Sequence, residues 1–173
     1  MRTLLVLALV SASHPALAEE RREGAFGLWK GMTLAEVKSV SKAIQLLPAG
    51  GPHYYFTRSP PEPIFPFSGY ALAIAPKAGL CGVTAHTRHL PEGSKAAKDE
   101  AGVVLQMYMN RYGSPTHSGE DSSSRTVKWK DAQGPNSSIT FTMHHADDGT
   151  SYLEVSYAFS NVDACRAEIL KGI

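Results

Sequence analysis

Five stretches of this chain change side-chain character at every second residue, and that period admits only one kind of secondary structure. SGYALAIAP (68–76) sets Tyr70, Leu72 and Ile74 against Ala71, Ala73 and Ala75. LCGVTAHTR (80–88) sets Cys81, Val83 and Ala85 against Leu80, Thr84, His86 and Arg88. RTVKWKD (125–131) alternates Val127 and Trp129 with Lys128 and Lys130. SSITFTMHH (137–145) alternates Ile139, Phe141 and Met143 with Thr140, Thr142 and His144. TSYLEVSYAFS (150–160) alternates Leu153, Val155, Tyr157 and Phe159 with Tyr152, Glu154 and Ser156. Successive side chains of a strand point to opposite faces, so each stretch predicts a strand with one face for a core and one for water. HYYFTR (53–58) adds a short sixth strand. PKAG (76–79) and Asp147-Asp148-Gly149 supply hairpin turns.

Helices separate the strands. In GLWKGMTLAEV (27–37), Thr33 and Glu36 have the spacing of a capping box, and Met32 and Val37 that of a hydrophobic staple. Apolar residues recur at Leu34, Val37, Val40, Ile44 and Leu47, which predicts a helix to about Leu46, ended by Pro48-Ala49-Gly50-Gly51-Pro52. Trp29 has no part in the cap and is expected to anchor the core. A second helix spans about Ser94 to Tyr112, with Val104, Leu105 and Tyr108 in its apolar stripe and Gly113 and Pro115 past its end. A third begins at Ser160 or Asn161 and carries Val162, Cys165, Ile169 and Leu170. RSPPEPIFPFSG (58–69) has four prolines, which lack ladder donors, so it is a stiff loop. Its Phe65 and Phe67 either close one end of the core or stand ready for a partner. SGEDSSS (118–124) reads as a loop.

The order is helix and three strands, twice, then a helix. It predicts the α+β class: two tandem halves, about 27–90 and 94–160, within one domain 19–173. The strands form an antiparallel sheet with the helices on one face, and a C-terminal helix covers 161–172. Corresponding strand centres lie 68 to 73 residues apart, Ala71 to Ile139 and Tyr54 to Val127.

The opening MRTLLVLALVSASHPALAEE has one basic residue, a short apolar run and Ala16-Leu17-Ala18, the pattern of a signal peptide over 1–18. The expected location is therefore periplasmic or secreted. Removal of the leader leaves 16 basic against 16 acidic residues. A neutral chain does not suit nucleic acid, whose binding rests on clustered Lys and Arg. No later apolar run is long enough to insert in a membrane. The only cysteines, Cys81 and Cys165, favour a disulfide in an exported protein. With Cys81 on the inward face of its strand, such a bond would staple the last helix to the sheet.

Gly31, Met32, Thr33, Glu36 and Val37, at the entry to the first helix, resemble the helix start of outer-membrane assembly lipoproteins of the SmpA/OmlA type. The doubled arrangement, with Tyr112-Gly113 and Pro115 closing the second helix, is similar to that of the tandem β-lactamase inhibitor protein family. That resemblance implies tandem helix-plus-sheet units that bind an enzyme across the sheet. The lipidated cysteine of the first family has no counterpart near Ala18.

The outward strand residues would then form one polar face. His86, Arg88, Lys128, His144, Tyr152 and Glu154 are its candidate binding residues, with Tyr and Arg the usual interface anchors. The leading expectation is an exported binding module without chemistry, with another exported protein as its partner. The alternative is a small-ligand or metal-binding protein. His86, His144 and Glu154 could meet across strands, but no spacing matches a known metal site. His86 and His89, three apart on a strand, should face opposite sides. No cofactor motif and no G-x-S-x-G nucleophile turn occurs. Asn136-Ser137-Ser138 is a glycosylation sequon.

Overall fold

The computed structural model describes residues 22–47 and 51–171. The expected leader, with a cut expected after Ala18, lies outside the described residues. The chain enters through a small hairpin, β1 (Gly24–Ala25) and β2 (Leu28–Trp29), turned at Phe26 and Gly27, both with positive φ. Leu28 and Phe26 are buried, while Trp29 stays 39% exposed, so Leu28 takes the anchoring role expected of Trp29. Helix α1 (Leu34–Val40) has the full capping box: Glu36 N–H donates to Thr33 Oγ1, and Thr33 N–H donates to Glu36 Oε2 at 2.7 Å.

Helix α1 is shorter than its apolar period suggests. Ser41 is already extended, Ala43 sits at φ 52, and β3 (Gln45–Leu46) pairs with β4 (Tyr54–Thr57). The buried Thr57 hydroxyl donates to Lys42 O at 2.7 Å, which gives the released backbone a strand-like partner. Strand β5 (Gly69–Ala75), strand β6 (Gly79–His86) and the short β7 (Leu90–Pro91) follow. Helix α2 (Lys95–Tyr112) starts at an Ser94 cap and ends at Gly113 with φ 77. The stretch expected as a loop holds β8 (His117–Glu120), an edge strand exposed along its whole length. Both its faces meet water, so it carries no alternation to read. Strands β9 (Ser124–Lys130), β10 (Ser138–His145) and β11 (Thr150–Ala158) come next, then helix α3 (Val162–Lys171).

Nine strands form one antiparallel sheet in the order β3-β4-β5-β6-β11-β10-β9-β8, with β7 beside β11. One face is the core. Leu72, Val83, Val155, Phe141 and Trp129 pack there beneath Leu28, Val37 of α1, and Val104 and Tyr108 of α2.

The helices do not all share that face. Ile74 pairs with Leu80 and Ala73 with Gly82, so Cys81 is the extra residue of a β-bulge. The bulge turns Leu80 into the core with Val83, against the expected grouping of Leu80 with Thr84. It turns Cys81 to the opposite face, against Ala75, Cys165 and Ile169. The Cys81–Cys165 disulfide forms and thus fastens α3 to the outer side of the sheet. Backbone bonds hold the bulge in place: Gly31 N–H donates to Leu80 O, and Leu80 N–H to Met32 O. Gly79, at φ 68, has no room for a Cβ against the Gly31 backbone. A disulfide is consistent with an oxidising compartment. Among the described residues no helix is long and apolar enough to cross a membrane.

Candidate functional site on the outer face of the sheet

Strand register arranges the outer face into cross-strand rows. The first row sets His144 opposite Tyr152. The second runs Thr142, Glu154, His86, Gly69. The third runs Lys128, Thr140, Ser156, Thr84, Ala71, Phe56. The fourth runs Lys130, Ser138, Ala158, Gly82, Ala73, Tyr54. Imidazoles collect at the first two rows; the last two carry small side chains along their middle, between a lysine at one end and Phe56 or Tyr54 at the other.

At the ring end, Tyr152 lies between two imidazoles. His144 stacks on it at 4.6 Å and 17°, and His89 at 4.7 Å and 22°. His89 is fixed by Thr150, its Nδ1 lying 2.9 Å from the hydroxyl. His144 Nε2 lies 3.8 Å from Glu154 Oε2. Glu154 also accepts from Ser156 Oγ at 3.1 Å, and Ser156 shares a 2.9 Å hydrogen bond with Thr84. His86, directly opposite Glu154, stacks with Phe56 at 5.9 Å. The two rings meet over Gly69, where any Cβ would strike both. Burial lowers the His86 pKa; Glu154 opposes that shift, and His89 and Arg58 add to it.

No family model, curated protein or solved structure matches this chain. The chemistry of the face therefore rests on its own geometry.

His86, His144, Tyr152 and Glu154 come together as the alternation implies, and Lys128 lies one row further along the same face. Arg88 does not join them. Strand β6 ends at His86, Thr87 turns inward to be buried, and the Arg88 guanidinium pairs with Glu100 of α2 at 3.4 Å. The same end of strand brings His89 onto the patch, against the expectation that it faces away from His86. The signal was the strand's length, which alternation alone does not fix. His145 leaves the patch, with Nδ1 2.9 Å from Glu92. Among the described residues no three His, Cys, Asp or Glu side chains are grouped to hold a metal ion. The arrangement is suited to stacking and hydrogen bonding with planar groups. Its half-buried side chains are held in place by their neighbours before anything binds.

The last two rows run beneath α3. There a cavity of about 320 Å³ lies between the helix and a floor that includes Ala71, Ala73, Thr84, Thr140 and Ser156. Elsewhere on the protein surface, Phe65 is 84% exposed beside the buried Phe67, so the two rings of the proline loop divide between solvent and core.

Proposed function

We propose that this chain is an exported, non-catalytic binding module that docks another exported protein on the outer sheet face. The observation that carries the reading is the tyrosine held between two imidazoles, Tyr152 between His144 and His89, on a face that α3 covers only at its far end. Tyrosine offers a large amphipathic contact with little side-chain entropy left to lose, and stacking on both ring faces removes most of that. Lys128, His86 and Glu154 provide polar contacts around it. The two phenols most displaced by burial, Tyr108 and Tyr157, hydrogen-bond each other in the core at 2.6 Å. In this reading residues 1–18 are the leader, and the two sets of three strands are tandem units. The meeting of β6 and β11 at the centre of the sheet supports that pairing. The likeness to tandem inhibitor-type modules belongs here as well.

The test places a photo-activatable cross-linker at Thr126, which pairs with Thr142 on the outer face, or at Lys98, on α2, in the exporting cell. A discrete adduct is expected from Thr126 alone, reduced at least tenfold by Tyr152→Ala. Equal adducts from both positions, or adducts indifferent to Tyr152, would overturn the reading.

A further inference from the structure

The cavity beneath α3 is built in a way that the docking face does not require. A helix lying on a sheet normally fills the gap with large side chains, because interiors pack to crystal-like density. Here the floor is the opposite. Ala71, Ala73, Gly82, Ala158 and the hydroxyls of Thr84, Ser138, Thr140 and Ser156 leave the space open across four strands, with Tyr54 of β4 lining the cavity next to Ala73.

The helix cannot settle into that space, because all its ties run to one side. The Cys81–Cys165 bond is one tie. Glu168 Oε2 accepts from Lys77 N–H at 2.8 Å and Ala78 N–H at 3.4 Å. Asn161 Nδ2 donates to Ala78 O at 2.9 Å and Leu80 O at 3.1 Å. Every one of these partners belongs to residues 77–81, the turn and start of β6. The opposite flank of α3, with Val162, Arg166 and Leu170, lines the cavity. Leu170, an apolar side chain that lines the cavity, is 64% exposed.

The charges around the opening are mainly positive. Lys130 sits directly across from Ser138 and Lys128 across from Thr140, so both lie one strand beyond the floor. Neither has an ion-pair partner among the described residues. Arg166 lines the cavity itself, with Asp163 at a loose 3.8 Å. A volume of about 320 Å³ falls at the small end of ligand sites, roughly 300–1,000 Å³.

We propose that the space between α3 and the sheet is a binding site for a small anionic amphiphile, a monocarboxylate with an aliphatic body of medium length. The body lies on the alanine and hydroxyl floor against Val162 and Leu170. The carboxylate meets Arg166 and Lys130 of β9. This site stands apart from the docking of a protein at Tyr152 and holds whether or not that docking occurs.

Calorimetric titration of the full mature chain with decanoate, and with decyltrimethylammonium as the cation of equal chain length, tests it. One decanoate should bind per chain, and the cation should bind at least tenfold more weakly. Ala73→Phe and Thr140→Phe fill the floor from different strands. Whichever keeps the wild-type melting temperature should lose decanoate. Arg166→Glu should weaken decanoate about tenfold and leave the cation unchanged or stronger. Equal affinity for both amphiphiles, undiminished binding in a folded floor variant, or no saturable decanoate binding overturns the proposal. The cross-link at Thr126 reads the protein-docking site separately, so either idea can fail alone.

Discussion

Tyr108 and Tyr157 join hydroxyls at 2.6 Å inside the core, and the pairing sets what it costs to change either one. Burial raises both phenols above the ordinary tyrosine range, so each stays neutral and one donates to the other. Tyr108→Phe leaves the Tyr157 hydroxyl buried without a partner, at a cost of about 1–3 kcal/mol, and Tyr157→Phe does the same in reverse. The double variant replaces both partners with apolar groups and should cost less than the two single changes together. Urea denaturation of the four proteins measures that coupling, and strict additivity would mean the hydroxyls contribute nothing jointly. His86 carries a different expectation. Burial holds its imidazole below the ordinary value, with Glu154 opposing and His89 and Arg58 reinforcing. Below a pH of about 6.5 the unfolded chain therefore binds a proton that the native chain resists. Its stabilising contribution is complete above that pH and is lost as the pH falls through the lower folded value. Urea midpoints should decline from pH 7.5 to 5, and His86→Phe should flatten the decline; parallel declines would remove His86 from the account. Alternation alone placed His86, Lys128, His144, Tyr152 and Glu154 on this face. It misplaced Arg88 and His89, because the period-two rule holds only while the strand lasts and nothing local marks its end at His86.

At the scale of elements, local chemistry was most legible where it closes on itself. Ser94 and Gly113 bound α2 as caps should, and the Thr33–Glu36 box starts α1. What local pattern could not show were the choices made by distant partners. The backbone after Val40 leaves the helix because β4 offers it a strand edge. Strand β8 exists because β9 had an open side, though its own residues are polar throughout. The bulge at Cys81 is the most consequential of these, since one extra residue moved α3 to the other face of the sheet. The disulfide then closes a separation of 84 residues. In the chain-entropy view such a closure stabilises by about 4.5 kcal/mol. Cys81→Ala with Cys165→Ala should lose close to that amount in urea denaturation. Hydrogen exchange should rise along α3 first, because Glu168 and Asn161 are the main polar ties left to hold it. Exchange in α3 that stays as slow as in α2 would show that the bond is not what retains the helix.

At the scale of the whole molecule, the decisive contact is the ladder between β6 and β11. Five residue pairs, from Glu154 opposite His86 to Ala158 opposite Gly82, join the first set of strands to the second without an edge between them. The core follows the same line: Leu72 and Val83 from one set share a continuous cluster with Phe141, Val155 and Tyr157 from the other. Neither set has a separate apolar interior to unfold around. The disulfide reinforces this, since it ties β6 to the helix that follows β11. Folding would then be a single event. The expected outcome is one cooperative transition, with far- and near-ultraviolet circular dichroism superimposing and the calorimetric enthalpy equal to the van't Hoff value. Exchange should be slowest in β6 and β11, at the centre of the sheet, and fastest in β3 and β8 at its edges. Two resolved transitions, or one set of strands exchanging well before the other, would mean that the ladder joins two units that fold apart.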